Sequence, residues 1–163
     1  MRIHLVLSDD WELRADGSGD MRLIQFATLE RLLSIYESHG LRASINAEVL
    51  QQLAHLDAGT EHPELAELAA EWEATVKAAF GRGHDVQLHV HPQWSDAHHT
   101  EEGWTLNGSW QLPEYSLQDT RSILGSAKDY LESLLQPLDP GYRCVTFRSG
   151  GWAFAPSGTS FRR

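Results

Sequence analysis

The sequence predicts an α/β fold built on parallel strands, and three observations support this class. Short apolar runs with the alternation of strands are separated by longer segments whose apolar residues recur at helical spacing. These segments follow the order β-α-β-α-β-α-β, which favours parallel pairing with right-handed crossovers. No repeat, low-complexity tract or interdomain linker interrupts the order, so residues 1–163 are expected to form a single domain.

Four short segments have the pattern of strands. The first is the apolar run of residues 3–7, which is expected to be buried and ends abruptly at acidic residues. Residues 41–49 alternate weakly, residues 86–91 alternate clearly, and residues 142–147 form the last predicted strand. A closed barrel usually needs more than about 200 residues. The sequence therefore predicts a partial or distorted (β/α) barrel of parallel strands, truncated after about four βα units.

The predicted helices span residues 21–39, 50–56, 64–80 and 116–135. Gly40 and Gly81 are natural C-terminal stops, and Pro63 occupies a position that the first turn of a helix tolerates. Ser116 opens the last helix in a pattern similar to a capping box, and Pro137 ends it. The polar and aromatic segment 95–113 is expected to form a small hairpin or an active-site loop, with turn signals at Asn107-Gly108.

The third predicted strand carries a candidate metal site. His89 and His91 are two residues apart, so both imidazoles project from the same face of a strand. Two imidazoles at this spacing can hold one divalent cation. Pro92 ends the ladder, which places the pair at the carboxyl end of the strand, where α/β folds bind ligands. A solvated pair of histidines on an edge strand is the alternative interpretation.

Two other predicted strands also end in residues suited to chemistry, Asp9-Asp10 and Arg148. The carboxyl ends of parallel strands meet at one side of a sheet, so all three sets are expected to lie together. Two imidazoles and one carboxylate form a common catalytic zinc shell, and a second carboxylate could act as general base. A guanidinium could orient that base through a two-point hydrogen bond. Turn chemistry for the aspartates and a solvated loop for the arginine are the alternatives.

Composition excludes several classes of function. The net charge of −10 and the lack of a basic block argue against nucleic-acid binding, and no apolar segment approaches the length of a membrane span. Cys144 is the only cysteine, which fits a reducing compartment and favours a cytoplasmic location. Six tryptophans include Trp94 and Trp152 beside the candidate site. These two are weak candidates for binding a sugar, and core packing is the alternative.

The strand-end motifs resemble those of the polysaccharide deacetylases, the NodB-homology group related to carbohydrate esterase family 4. Asp9-Asp10 resembles the first motif of that family, the segment 84–92 its histidine motif, and the segment 147–152 its arginine motif. The resemblance spans residues 3 to 154 in the family's order. It implies a distorted, incomplete barrel, a divalent metal that is usually zinc, and removal of acetyl groups from N- or O-acetylated sugars.

The resemblance also implies roles for individual residues. Asp9 would be the catalytic base, Arg148 would orient it, and Asp10, His89 and His91 would bind the metal. The usual histidine motif spaces its ligands four residues apart, whereas here they are two apart, as in the Leu-His-x-His-Pro variant of distant members. Other histidines could therefore replace one of the pair; these are His84, His98 and His99.

The resemblance stops short of the family's last two motifs, which carry the acetyl pocket and the general acid. Residues 1–163 are expected to be the N-terminal portion of such an enzyme. The predicted function is metal-dependent deacetylation of carbohydrate; the alternatives are a non-catalytic metal- or glycan-binding remnant and a metal-dependent hydrolase of non-sugar amides. Four strands would leave an open sheet edge, with residues 142–147 as the favoured one, so a homo-oligomer through that edge is also expected.

Overall fold

The structure is a computed structural model that describes residues 3–154. A curled, four-stranded parallel sheet forms a half-barrel, with helices packed against its outer face. The strands of this sheet are β1 (Ser8–Trp11), β2 (Ser44–Glu48), β3 (Asp85–Val90) and β6 (Phe147–Ser149), paired in that order. The predicted α/β class is confirmed, and the half-barrel is compatible with a partial barrel.

Four α-helices connect the strands: α1 (Ala27–Ser38), α2 (Val49–Ala58), α3 (Pro63–Gly81) and α4 (Leu117–Leu135). A π-helical turn, Arg22–Phe26, precedes α1 and belongs to the helix predicted from residue 21. The Ser116 hydroxyl accepts a hydrogen bond from the backbone N–H of Asp119 at 3.1 Å, so α4 is capped as predicted. None of the helices described is long and apolar enough to cross a membrane.

The segment 95–113 contains a two-stranded antiparallel hairpin of β4 (Ala97–Thr100) and β5 (Gly103–Leu106). The hairpin prediction is confirmed, but the turn lies between Thr100 and Gly103 and not at Asn107-Gly108. Gly103 adopts a φ of 109°, a conformation that favours glycine and allows the tight reversal.

The first and last strands differ from their predicted positions. Residues 3–7 are not a buried strand: Ile3, Leu5 and Val6 are each at least 74% exposed, and β1 begins at Ser8. The ladder forms only where β2 is present as a partner, and β2 starts at Ser44. An apolar run in the sequence predicts the propensity for a strand but not the existence of its partner.

Residues 142–146 are also not a strand, because a side chain replaces the ladder there. The amide oxygen of Gln87 accepts hydrogen bonds from the backbone N–H groups of Val145 and Thr146, at 3.0 and 3.1 Å. The Tyr142 hydroxyl donates to the carbonyl of Val86 at 2.7 Å. Regular pairing with β3 begins only at Phe147.

The two faces of the sheet have opposite character, because side chains alternate along each strand. The outer face buries apolar residues against the helices; examples are Trp11, Ile45, Ala47, Val86 and Leu88. The inner, concave face carries polar and ionisable residues; examples are Asp10, Glu12, Asn46, Glu48, Gln87 and His89. The functional groups of the chain therefore converge inside the half-barrel.

Candidate metal centre

A row of ionisable side chains crosses the inner face at the carboxyl ends of the strands. The ladder pairs Glu48 of β2 with His89 of β3, and His89 with Arg148 of β6. Glu12 follows β1 directly and extends the row beyond Glu48. His91 lies two residues past His89 and projects from the same face. Four strands thus bring these groups together although they are far apart in sequence.

Four residues of this row could hold a metal ion: Glu12, Glu48, His89 and His91. One ligand atom from each lies within 4.8 Å of all the others. Both histidines are buried, as is Glu48, whereas Glu12 is partly exposed. Imidazole nitrogens and carboxylate oxygens are the usual ligands of zinc and of other first-row divalent ions.

His89 is already oriented as a metal ligand. Its Nδ1 lies 2.9 Å from the carbonyl oxygen of Arg148, and because a carbonyl can only accept, Nδ1 carries the proton. The lone pair is then on Nε2, which is buried and has no hydrogen-bond partner. A buried polar atom without a partner is costly, and a cation beside it would remove that cost. Metal-binding histidines typically have this second hydrogen bond.

The distances fit a tetrahedral shell only in part. Ligand atoms about 2.0–2.1 Å from zinc lie roughly 3.3 Å apart in a tetrahedron. Nε2 of His89 is 3.4 Å from Oε2 of Glu12, close to that value. Nε2 of His91 is only 2.7 Å from the same oxygen, which is a hydrogen-bond distance. An ion could therefore enter only if the contact between Glu12 and His91 widens.

The surroundings shift the pKa values of the two carboxylates, Glu12 and Glu48, in opposite directions. Burial raises the pKa of Glu12, but its close contacts with the imidazoles of His89 and His91 outweigh this and lower its pKa to about 2. Burial raises the pKa of Glu48 to about 8, and the nearby charge of Glu12 adds to that effect. Glu12 is thus a ready anionic ligand, while a charge on Glu48 needs a compensating cation nearby.

Glu48 also fixes the backbone around the centre. One oxygen accepts a hydrogen bond from the N–H of Leu50 at 3.0 Å and caps α2, and the other accepts from the N–H of His91 at 2.6 Å. Because this carboxylate ties the end of β2 to the end of β3, it holds His91 at a defined distance from the rest of the group.

The structure changes the predicted roles of the two aspartates. Arg148 donates to Oδ1 of Asp10 at 2.6 Å and to the hydroxyl of Ser8 at 2.6 Å, and not to Asp9. The Asp9 carboxylate instead accepts a hydrogen bond from Tyr36 of α1 at 3.1 Å, on the outer side of the sheet. Adjacent residues of a strand face opposite ways, so Asp9 cannot join the group that contains His89. Asp10 is the carboxylate that the arginine orients.

Asp10 is correspondingly not a member of the metal group, and Glu12 occupies the place predicted for it. Asp10 and Glu12 are two residues apart, so they share the inner face, and both line the same cleft. Sequence reasoning missed Glu12 and Glu48. The signal was available: Glu12 follows β1 directly and Glu48 is the last residue of β2, and both have the same period of two that identified the histidines.

The other candidate histidines lie outside the group. His84 is buried beside Glu37, 2.9 Å from its carboxylate, at the opposite end of β3. His98 is exposed on β4 and pairs with Asp96, and His99 makes an edge-to-face contact with His62. Of the predicted histidine ligands, the structure brings together His89 and His91 only.

A cleft of about 780 Å³ opens above the metal group. Asp10, Glu12, His89, His91 and Arg148 line it, and exposed aromatic side chains form part of its wall: Trp110, Trp152 and Phe154. Trp152 has a φ of 59°, which is rare for a residue other than glycine, and its side chain is fully exposed. Trp94 is buried in the core and does not line the cleft.

Gly150, which follows β6 directly, lies against the ring of His91. A Cβ atom at this position would lie 2.5–2.8 Å from three atoms of the imidazole, closer than any side chain tolerates. The arginine motif therefore has two effects: Arg148 lines the cleft, and the lack of a side chain at Gly150 leaves room for the ring of His91.

Comparison with models of protein families, with curated proteins and with solved structures finds no match. The likeness to polysaccharide deacetylases therefore rests on the strand-end motifs. Residues of all three motifs line one cleft of the structure: Asp10, the histidine pair and Arg148.

Proposed function

We propose that the chain is a metal-dependent hydrolase that removes acetyl groups from N- or O-acetylated carbohydrate. The observation that carries the proposal is the buried, unpartnered Nε2 of His89, aimed at Glu12 and His91 on the floor of an open cleft. Glu12, His89 and His91, with Glu48 behind them, would hold the ion. Zinc suits this set of nitrogen and oxygen ligands best, since two imidazoles and a carboxylate recur in catalytic zinc sites.

A divalent ion in this position would polarise the acetyl carbonyl and lower the pKa of water. Asp10 is the group of this chain placed to accept the proton from that water. The guanidinium of Arg148 and the hydroxyl of Ser8 are joined in one network with Asp10, so its carboxylate has a fixed direction. Asp10 of β1 and Glu12, which follows this strand directly, thus have different roles: Glu12 binds the ion and Asp10 serves as general base.

The aromatic wall supports a carbohydrate as the substrate. Sugar rings present apolar C–H faces that pack against exposed aromatic side chains, while their hydroxyl groups need polar partners. Trp110 is 49% exposed and Trp152 is fully exposed at the cleft, beside the polar floor. This combination favours a sugar over a non-sugar amide, which is the weaker alternative.

A non-catalytic metal- or glycan-binding role is the second candidate. Among the described residues that line the cleft, no tyrosine, lysine, cysteine or further histidine is present to protonate a leaving group. Loss of a general acid typically reduces a rate about 10²–10⁴-fold. A chain that binds metal and sugar without measurable turnover would fit this alternative.

Turnover with defined substrates separates the two candidates. Acetate release from N-acetylated chito-oligosaccharides and from an aryl acetate should require added zinc and should stop with a chelator. Asp10→Asn should abolish acetate release while the amount of bound zinc stays unchanged. Trp152→Ala should reduce acetate release from the oligosaccharide but not from the aryl acetate. Zinc and oligosaccharide binding without acetate release would favour the binding role. Absence of zinc binding would exclude the hydrolase and the metal-binding role, and would leave glycan binding alone.

A further inference from the structure

The side chain of Gln93 lies behind His91 and is fully buried. Its Nε2 is 3.1 Å from Nδ1 of His91 and 3.3 Å from the carbonyl oxygen of Ala15. Its Oε1 is buried and has no hydrogen-bond partner. A buried amide oxygen without a hydrogen-bond donor costs stability, so the amide of Gln93 is not in an arrangement that satisfies all of its polar atoms.

This arrangement fixes the tautomer of His91 in the form that cannot bind a metal. The amide NH₂ only donates, so Nδ1 of His91 must accept, and the imidazole proton is on Nε2. That proton is donated to Glu12, which explains the 2.7 Å contact. A metal ligand must present a lone pair at Nε2, and the proton must then be at Nδ1 and find an acceptor there.

The unpaired oxygen of Gln93 can become this acceptor. Rotation of the amide by half a turn exchanges its oxygen and nitrogen, and puts the oxygen against Nδ1 of His91. The backbone of Gly108 lies close to that of Gln93, since a Cβ at Gly108 would be 2.8 Å from the Cα of Gln93. The change of acceptor needs only the terminal amide to rotate.

We infer that Gln93 is a positioning residue that selects the tautomer of His91: its amide nitrogen stabilises the metal-free form and its amide oxygen the metal-bound form. His89 needs no such device, because the carbonyl of Arg148 can only accept and sets its tautomer permanently. The inference rests on the proposed metal site and adds the group that completes it. Rotation of the amide would also take away the donor to the carbonyl of Ala15, which lines the cleft, so this carbonyl must turn away from the amide oxygen when the ion binds.

Variants of Gln93 give the first test, with zinc affinity measured by competition against a chromophoric chelator. Gln93→Glu keeps an acceptor toward Nδ1 and should bind zinc at least as tightly as the wild type. Gln93→Met keeps length but lacks an acceptor, and should bind about 10–100-fold more weakly, the usual effect of losing such an outer partner. Gln52→Met is the matched control, because Gln52 is also fully buried with an unpaired Oε1 but is remote from the cluster.

Nitrogen-15 NMR of the histidine rings gives a second test that needs no variant. His91 should carry its proton on Nε2 without zinc and on Nδ1 with zinc, while His89 should keep Nδ1 protonated throughout. Equal zinc affinity of Gln93→Met and wild type, or a His91 proton on Nδ1 in both states, would overturn the inference and leave the metal site intact. Failure of the wild type to bind zinc would overturn the site and the inference together.

Discussion

Replacing Gly150 by alanine should damage the metal centre through a single contact. The added Cβ would lie 2.5 Å from Nδ1 of His91, 2.6 Å from Cγ and 2.8 Å from Cδ2. Ordinary carbon contacts begin near about 3.5 Å, so the ring or β6 must move by roughly 1 Å. Metal–ligand distances hold to within about 0.2 Å. We therefore expect zinc affinity to fall on the order of 10–100-fold, the loss seen when a ligand is misoriented.

The same substitution should also lower the free energy of unfolding, by about 1–3 kcal/mol, because it overpacks a filled site. Gly125→Ala is the matched control: Gly125 lies in α4 with open space around its Cβ position, so alanine should stabilise the chain by about 0.5–1 kcal/mol. Zinc titration and urea denaturation of both variants provide the measurements. Unchanged zinc affinity in Gly150→Ala would refute the contact between this glycine and a metal-binding His91.

Three further predictions follow from other parts of the fold. Arg148→Lys should leave zinc affinity unchanged but reduce acetate release at least tenfold, since an ammonium cannot bind Asp10 and Ser8 in a planar fork; equal release would exclude this orienting role. Burial lowers the pKa of His55 to about 4, so the folded protein holds this ring neutral where the unfolded chain would protonate it. The free energy of unfolding should therefore keep its full value above about pH 6.5 and fall, by at most about 3 kcal/mol, as the pH drops toward 4. Denaturation across this range should show a flatter profile for His55→Phe, and parallel profiles would contradict the assignment. β1 and β6 are the outer strands of the sheet, so we expect light scattering at micromolar concentration to detect an assembly larger than a monomer, and a clean monomer would argue against edge pairing.

The period of two residues along a strand explains both the success and the failure of the sequence analysis. It predicted correctly that His89 and His91 share a face and lie at the carboxyl end of β3. The same period excludes Asp9 and Asp10 from sharing a face, so the predicted partnership of Asp9 with Arg148 was wrong. The family resemblance favoured adjacent aspartates, whereas the strand geometry selects Asp10 and Glu12.

Other features depended on partners that a sequence does not reveal. Residues 3–7 have strong strand propensity, but Ile3, Leu5 and Val6 remain exposed, because β2 begins only at Ser44. Trp94 and Trp152 both follow strand-end motifs, yet one is in the core and the other is fully exposed. Burial depends on long-range packing, so composition and local spacing could not separate them.

Metal content after equilibrium dialysis against zinc tests the central claim most directly, with four proteins compared. The account predicts one zinc ion per chain in the wild type and in Asp10→Asn, and little or none in Glu12→Gln, because Glu12 and not Asp10 belongs to the group with His89 and His91. His98→Ala controls for adventitious binding, since His98 is exposed and outside the group. Retention of zinc by Glu12→Gln together with its loss from Asp10→Asn would contradict the account.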